Sequence, residues 1–146
     1  MAEPIVIRRM EPSDEKYVIA IDQKIVGKER AASWQQRVFR YLERYYPPVS
    51  HIAEANGAVV GFIIGDIRGW EYGMASGAWI DIMGVDPAFQ GQGVGRRLVA
   101  AFVDQCRKQG IKSIHSFMRE DDTRIQHFLE SAGFSRGTLV EYALKV

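Results

Sequence analysis

Val85-Asp86-Pro87-Ala88-Phe89-Gln90-Gly91-Gln92-Gly93-Val94-Gly95-Arg96-Arg97 is the stretch that decides the fold. Upstream of it, Trp79 to Val85 reads as a buried strand closed by Asp86-Pro87. From Gly93 the apolar period becomes helical. Val94, Leu98, Phe102 and Cys106 form one stripe, Val99 and Val103 lie beside it, and Gly110 is the expected C-terminal glycine. Ile111 to Met118 then reads as another long strand, so the stretch is the turn of a βαβ crossover, expected to be right-handed. The turn also carries chemistry. Gly91, Gly93 and Gly95 remove side chains that would keep an anion from the first-turn N–H groups, and the helix dipole with Arg96 and Arg97 favours negative charge. A dinucleotide fingerprint would need glycine where Arg96 stands, and no Gly-Lys-Ser or Gly-Lys-Thr follows to make a P-loop. The competing reading is a glycine-rich connection that only lets the helix pack closely.

Outward from this unit, Ile5 to Ile7 reads as an opening strand, and Pro12-Ser13-Asp14 starts a helix carrying Val18, Ile21 and Ile25. Ser33 with Gln36 is a capping box for a second helix bearing Trp34, Val38, Tyr41, Leu42 and Tyr45, which Pro47-Pro48 stops. Ile52 to Ala55, Asn56-Gly57 and Ala58 to Ile67 make a hairpin whose tight turn needs positive φ at both central residues. Arg68 to Gly77 suits a mobile loop with large side chains. Asp121 and Asp122 cap a last helix with Ile125, Phe128, Leu129 and Ala132 on one side, ended by Gly133, and Thr138 to Val146 reads as a closing strand. The expected fold is a mixed α/β one: a mostly antiparallel sheet with one central βαβ crossover and flanking helices.

The 146 residues fit a single domain spanning 1–146, and 47% apolar with 25% charged residues excludes bulk disorder. A net charge of +1 provides no global field for nucleic acid or an anionic membrane, and neither partner is expected. Cys106 alone cannot form an internal disulfide, and with three scattered histidines it makes no zinc spacing, so no metal is expected. Arg8 and Arg9 follow too soon after Met1 for a signal peptide, and Ala58 to Gly65 is far too short to span a bilayer; a cytoplasmic location is expected.

Val85-x-Pro87 followed by Gln90-x-x-Gly93-x-Gly95 resembles the signature of the GNAT superfamily of acyl-CoA-dependent N-acyltransferases, and the likeness runs from Ile5 to the Phe128-Leu129-Glu130-Ser131-Ala132-Gly133-Phe134 segment. The resemblance implies that the turn Gln90, Gly91, Gln92, Gly93, Val94, Gly95 and Arg96 holds the coenzyme A pyrophosphate on backbone N–H groups. It further implies that Met83, Gly84 and Val85 run beside the pantetheine arm, with a bulge at Gly84 splaying the strand from its parallel neighbour. Two positions depart from the pattern. Asp122 stands where the family often has a coenzyme-contacting Asn, and Leu129 where many members carry a Tyr assigned to protonating the leaving thiolate. Only twelve residues follow Phe134, too few for two full closing strands, so a second subunit, in a homodimer, is the expected source of a complete hairpin.

The implied function is transfer of an acetyl group from acetyl-CoA to a primary amine by direct attack in a ternary complex. The acceptor is a protein N-terminus, a lysine or a small amine. A non-catalytic acetyl-CoA-binding regulatory module is the alternative, and a structural interaction domain with no coenzyme the third reading. An amine must lose a proton to attack. Asp81 is the first candidate base, because it shares strand parity with Met83 and Val85; its plainer reading is a carboxylate neutralised by an arginine. Glu54 on the neighbouring hairpin is the second, His115 a weaker relay, and Tyr142 the one phenol proposed as the acid. Trp34, Tyr41, Tyr45, Trp70 and Tyr72, with Glu29, Asp66, Glu71 and Asp81, could line an acceptor site for a cationic amine.

Overall fold

The computed structural model describes residues 4–26, 49–69 and 71–146. The second helix expected after Ser33, with Glu29, Trp34, Tyr41, Tyr45 and also Trp70, lies outside the described residues. The elements are β1 (Ile5–Arg9), α1 (Glu15–Val26), β2 (His51–Ala55), β3 (Ala58–Arg68), β4 (Gly77–Val85), α2 (Val94–Lys108), β5 (Ile114–Ser116) and α3 (Thr123–Ser131). They build one five-stranded sheet in the order β1-β2-β3-β4-β5. The first three pairings are antiparallel and β4–β5 is parallel, with α2 making the crossover. Asn56 and Gly57 sit at φ 51° and 77°, the positive values the two-residue turn demands.

Both faces of the sheet are covered, which is why β3 is an almost unbroken apolar run rather than an alternating one. On one face Ile63, Ala78 and Ile80 pack against Val94, Leu98, Val99, Phe102 and Cys106 of α2. On the other, Ile52, Phe62 and Ile64 pack against Met10 and against Val18 and Ile21 of α1. Each fully buried side chain of this kind contributes roughly 1.5–3 kcal/mol. Close approach of α2 requires small residues beneath it: a β-carbon on Gly65 would lie 2.8 Å from the Phe102 ring and against the Trp79 carbonyl.

The start of α1 is tied to the sheet by a charge cluster. Arg8 of β1 forks onto Asp14 with bonds of 2.8 and 2.7 Å and donates from Nε to Glu54 of β2 at 2.8 Å. Burial drives the Asp14 carboxyl upward, but the Arg8 hydrogen bonds, the Glu11 backbone N–H and the Arg8 charge outweigh it and hold the group below its ordinary 3.8.

Two strand expectations are corrected. Only Ile114–Ser116 of the segment 111–118 pairs with β4, because beyond Ser116 the chain turns away toward α3. Residues 138–146 form no strand in this chain: every residue from 135 to 146 is exposed and none enters the sheet.

Two predictions follow from the packing. Gly65→Ala should destabilise the fold by about 3 kcal/mol through overpacking, whereas Gly57→Ala, whose methyl meets nothing within 4 Å, should cost only about 1 kcal/mol of backbone strain; urea unfolding of both variants measures the contrast. Because the folded pKa of Asp14 is depressed, its stabilisation is complete above its ordinary value of 3.8 and disappears as pH falls through the folded value. Arg8→Gln should therefore cost about 1–3 kcal/mol at neutral pH and much less at pH 2, read by unfolding midpoints across the pH range.

Candidate active site

The site grows from the short pairing between β4 and β5. Ala78, Trp79 and Ile80 face Ile114, His115 and Ser116, and the Ser116 hydroxyl donates to the Ile80 carbonyl at 2.9 Å. There the two strands part. β4 continues from Asp81 to Val85 along β3 alone, leaving an edge of backbone groups facing a slot.

A bulge marks the parting. Ile64 pairs with Ile82 while the next residue, Gly65, pairs with Ile80, so Asp81 is the extra residue in β4. This corrects the expectation of a bulge at Gly84. Gly84 is needed for another reason: a β-carbon there would come within 2.9 Å of Ile25 and Phe62, so its lack of a side chain lets α1 cross β4. The bulge also changes which way Asp81 faces. Met83 and Val85 pack on the α2 side with Ala78 and Ile80, whereas Ile82 packs on the α1 side. Asp81 joins the Trp79 side, opposite Met83 and Val85, and the parity argument that grouped the three does not hold.

On that side lies a compact cluster. The Arg68 guanidinium donates to both Asp81 oxygens at 3.1 Å and to Asp66 at 2.9 Å, and it sits 5.3 Å from the centre of the Trp79 ring. Trp79 stacks on His115 at 4.5 Å and is flanked by Phe117 at 5.0 Å and Tyr72 at 5.6 Å. His115 meets the Ser113 hydroxyl at 2.9 Å. Arginine neutralisation of Asp81 was the plainer reading of that residue; the aromatic stack around it was not read from sequence, because it depends on the loop after β3 and the end of β5 converging on one ring.

At the other end of the slot stands the glycine turn. Gly91 and Gly93 take φ values of 79° and 80°, and Gly93 is the N-cap of α2 with no side-chain cap bond. Glycine has no side chain to cap the helix, and no bond from a side chain to the first-turn N–H groups is made among the described residues, the arrangement an anion site needs. Gln90 reaches back to donate to the Val85 carbonyl at 3.1 Å, binding the turn to the end of β4. Lys24 of α1 pairs with Asp86 at 2.7 Å and holds that carboxyl below its usual range. Gln92 and Arg96 are exposed, and Arg96 donates to Ser131 of α3 at 3.2 Å. A β-carbon on Gly95 would lie 3.4 Å from Phe128 and 3.6 Å from Met83, so turn, slot and α3 converge at this glycine. Phe128 was read from sequence only as packing; its helical spacing gave no sign of this contact.

The remaining candidates are not brought to the slot. Glu54 lies on β2, separated from β4 by β3, and is held by Arg8. Tyr142, expected on a closing strand, is 96% exposed on the unpaired tail. Asp122 spends its carboxylate on the Ile125 N–H at 3.3 Å, capping α3. Leu129 is buried, and Cys106 lies on the buried face of α2, where burial pushes its thiol up to about 11. Among the described residues no group of His, Cys, Asp and Glu could hold a metal ion, and no helix is long and apolar enough to cross a membrane.

Comparison with known proteins identifies the family and the fold. Mycothiol acetyltransferase of Thermobispora bispora is 28% identical over 95% of this chain, and the chain spans only 49% of that relative's length. N-alpha-acetyltransferase 30 of Schizosaccharomyces pombe is 24% identical over 86% of this chain and 82% of its own. Aminoglycoside N-acetyltransferase AAC(6')-Iy, solved in complex with CoA, superposes with a TM-score of 0.82 over 99% of this chain and 97% of its own, at 20% identity, and so shares the fold. The sequence pattern of the acetyltransferase (GNAT) family matches residues 23–134, and with a slot and glycine turn at its centre the chain belongs to that family.

Proposed function

We propose that the chain transfers an acetyl group from acetyl-CoA to a primary amine, by direct attack within a ternary complex. The observation that carries this reading is the alignment of two features: the edge of β4 from Asp81 to Val85, with which β5 does not pair, and the N-terminus of α2, whose N-cap Gly93 has no side chain to cap it, at the end of that edge. Acetyl-CoA, when bound, supplies the acetyl thioester. In this reading the N–H groups of Gly91 to Arg96 receive the pyrophosphate, with Gln90, Gln92, Val94 and Gly95 shaping the turn. The backbone of Met83, Gly84 and Val85 lines the arm. Asp122 caps α3 and in this reading makes no hydrogen bond to the coenzyme.

Asp81 is our proposed proton acceptor. It sits at the point where β4 and β5 separate, and Arg68 fixes its carboxylate in one orientation. Asp66 and the aromatic stack on the same side suit an amine carrying an apolar or aromatic portion. Glu54 and Tyr142 have no such position within the single chain. The buried Leu129 favours one second reading, a coenzyme-binding regulatory module without turnover, because no hydroxyl at that position can protonate a leaving thiolate. A thiol of pKa ~8.5 leaves readily enough for water to serve as donor, so we retain the enzyme. The acceptor is a small amine or the amino group of a protein, and the working state is a homodimer.

Thiol release assayed with a panel of amines and peptides decides between enzyme and module; coenzyme binding without release from any acceptor would contradict the enzyme. Asp81→Asn should lower turnover chiefly below the pH at which the acceptor amine deprotonates unaided, with coenzyme affinity kept. Gly93→Val, which puts a β-branched residue at a φ of 80° and a side chain into the turn, should weaken coenzyme binding by at least about thirtyfold, or ~2 kcal/mol, in a variant whose circular dichroism shows it folded.

A further inference from the structure

Asp81 does not have Arg68 to itself. The guanidinium gives its Nε to Asp66 at 2.9 Å and one terminal nitrogen to both Asp81 oxygens at 3.1 Å. An arginine committed to one carboxylate sets two nitrogens against two oxygens, the strongest form of the pair. Here that fork is divided between two carboxylates, and the shorter bond goes to Asp66. All three groups are held in place. Asp66 is buried and stands opposite Trp79 in the β3–β4 ladder, and the Arg68 guanidinium lies over the Trp79 ring, which is itself buried and stacked on His115 of β5. On α1, which covers this side of the sheet, the buried ionisable group is Asp22, a further carboxylate.

The division bears on proton transfer. A carboxylate that receives a full arginine fork is held ionised and is a poor base, whereas a second negative charge beside it favours its protonated form. One guanidinium and two carboxylates sum to a single negative charge. When an acceptor ammonium gives its proton to Asp81, the N–H bond breaks with its electron pair left on nitrogen and an O–H bond forms on the carboxylate. The three groups then become neutral together, with Arg68 and Asp66 still paired, so no charge is stranded beside the buried indole.

We infer that Asp66 is a positioning residue for the reaction: by drawing the Nε side of Arg68 away from Asp81 and adding its own charge, it sets the pH above which Asp81 can take the acceptor's proton. The inference rests on the reading of Asp81 as the proton acceptor, and Asp66 acts through Arg68 and Asp81.

The test follows the Asp81 carboxyl carbon by NMR through the acid range in free, aspartate-labelled protein, beside the pH profile of kcat for thiol release from acetyl-CoA with phenethylamine as acceptor. Asp66→Asn should lower the Asp81 midpoint by about one pH unit and carry the acid limb of kcat down with it. Asp66→Glu should restore both, and Arg68→Gln should move both upward. Asp66→Ser carries the same prediction as Asp66→Asn should that variant not fold. An Asp81 midpoint unmoved or raised on loss of the Asp66 charge would overturn the inference, and so would a lowered midpoint with an unmoved limb. An Asp81→Asn variant that keeps the wild-type limb would instead overturn the proton-acceptor role itself, whatever the midpoint does.

Discussion

The structure depends on where β4 stops pairing with β5. Three residue pairs hold the strands parallel, and at the fourth position the extra residue Asp81 turns β4 out of register. A bulge adds local twist and bends its strand. Here it converts a continuous parallel pair into a fork whose open arm ends at the glycine turn. Without the fork, β5 would satisfy the β4 edge and no slot would exist.

The rest of the molecule holds that fork rigid. Phe62, Ile64 and α1 press on one face of β3 and β4, and α2 presses on the other, so the free arm of β4 cannot swing toward β5. Gly65 and Gly84 mark the two places where packing is tightest, one under α2 and one under α1. Charges act at the perimeter. Arg8 staples β1, β2 and the start of α1, Lys24 ties the end of α1 to the turn after β4, and Arg68 fastens the bulge to β3. The Lys24 and Arg68 pairs stand at the two ends of the open arm of β4, while the Arg8 cluster ties the opposite edge of the sheet.

Much of this was legible in residue order. Asn56-Gly57 reads as a tight hairpin turn, the α2 stripe follows its spacing, and the glycines after Pro87 leave a helix without a side-chain cap at its N-terminus. What escaped was set by register. A strand pattern does not reveal that one residue is extra, so Asp81 was grouped with Met83 and Val85 when it faces the other way. Gly84 was credited with the bulge because glycine favours one, yet packing against Ile25 and Phe62 explains it. Residues 138–146 do alternate as a strand does, but alternation alone does not pair a strand, and the segment stays outside the five-stranded sheet.

The central claim is that acetyl-CoA occupies the fork with its pyrophosphate on the glycine turn. Titrating acetyl-CoA into isotopically labelled protein and following backbone amide resonances tests it most directly. The account predicts saturable shifts concentrated at Gly91 to Arg96 and at Ile82 to Val85, with the β1–β2 side of the sheet unmoved. Absence of binding, or shifts centred elsewhere with the glycine-turn amides unchanged, would contradict it.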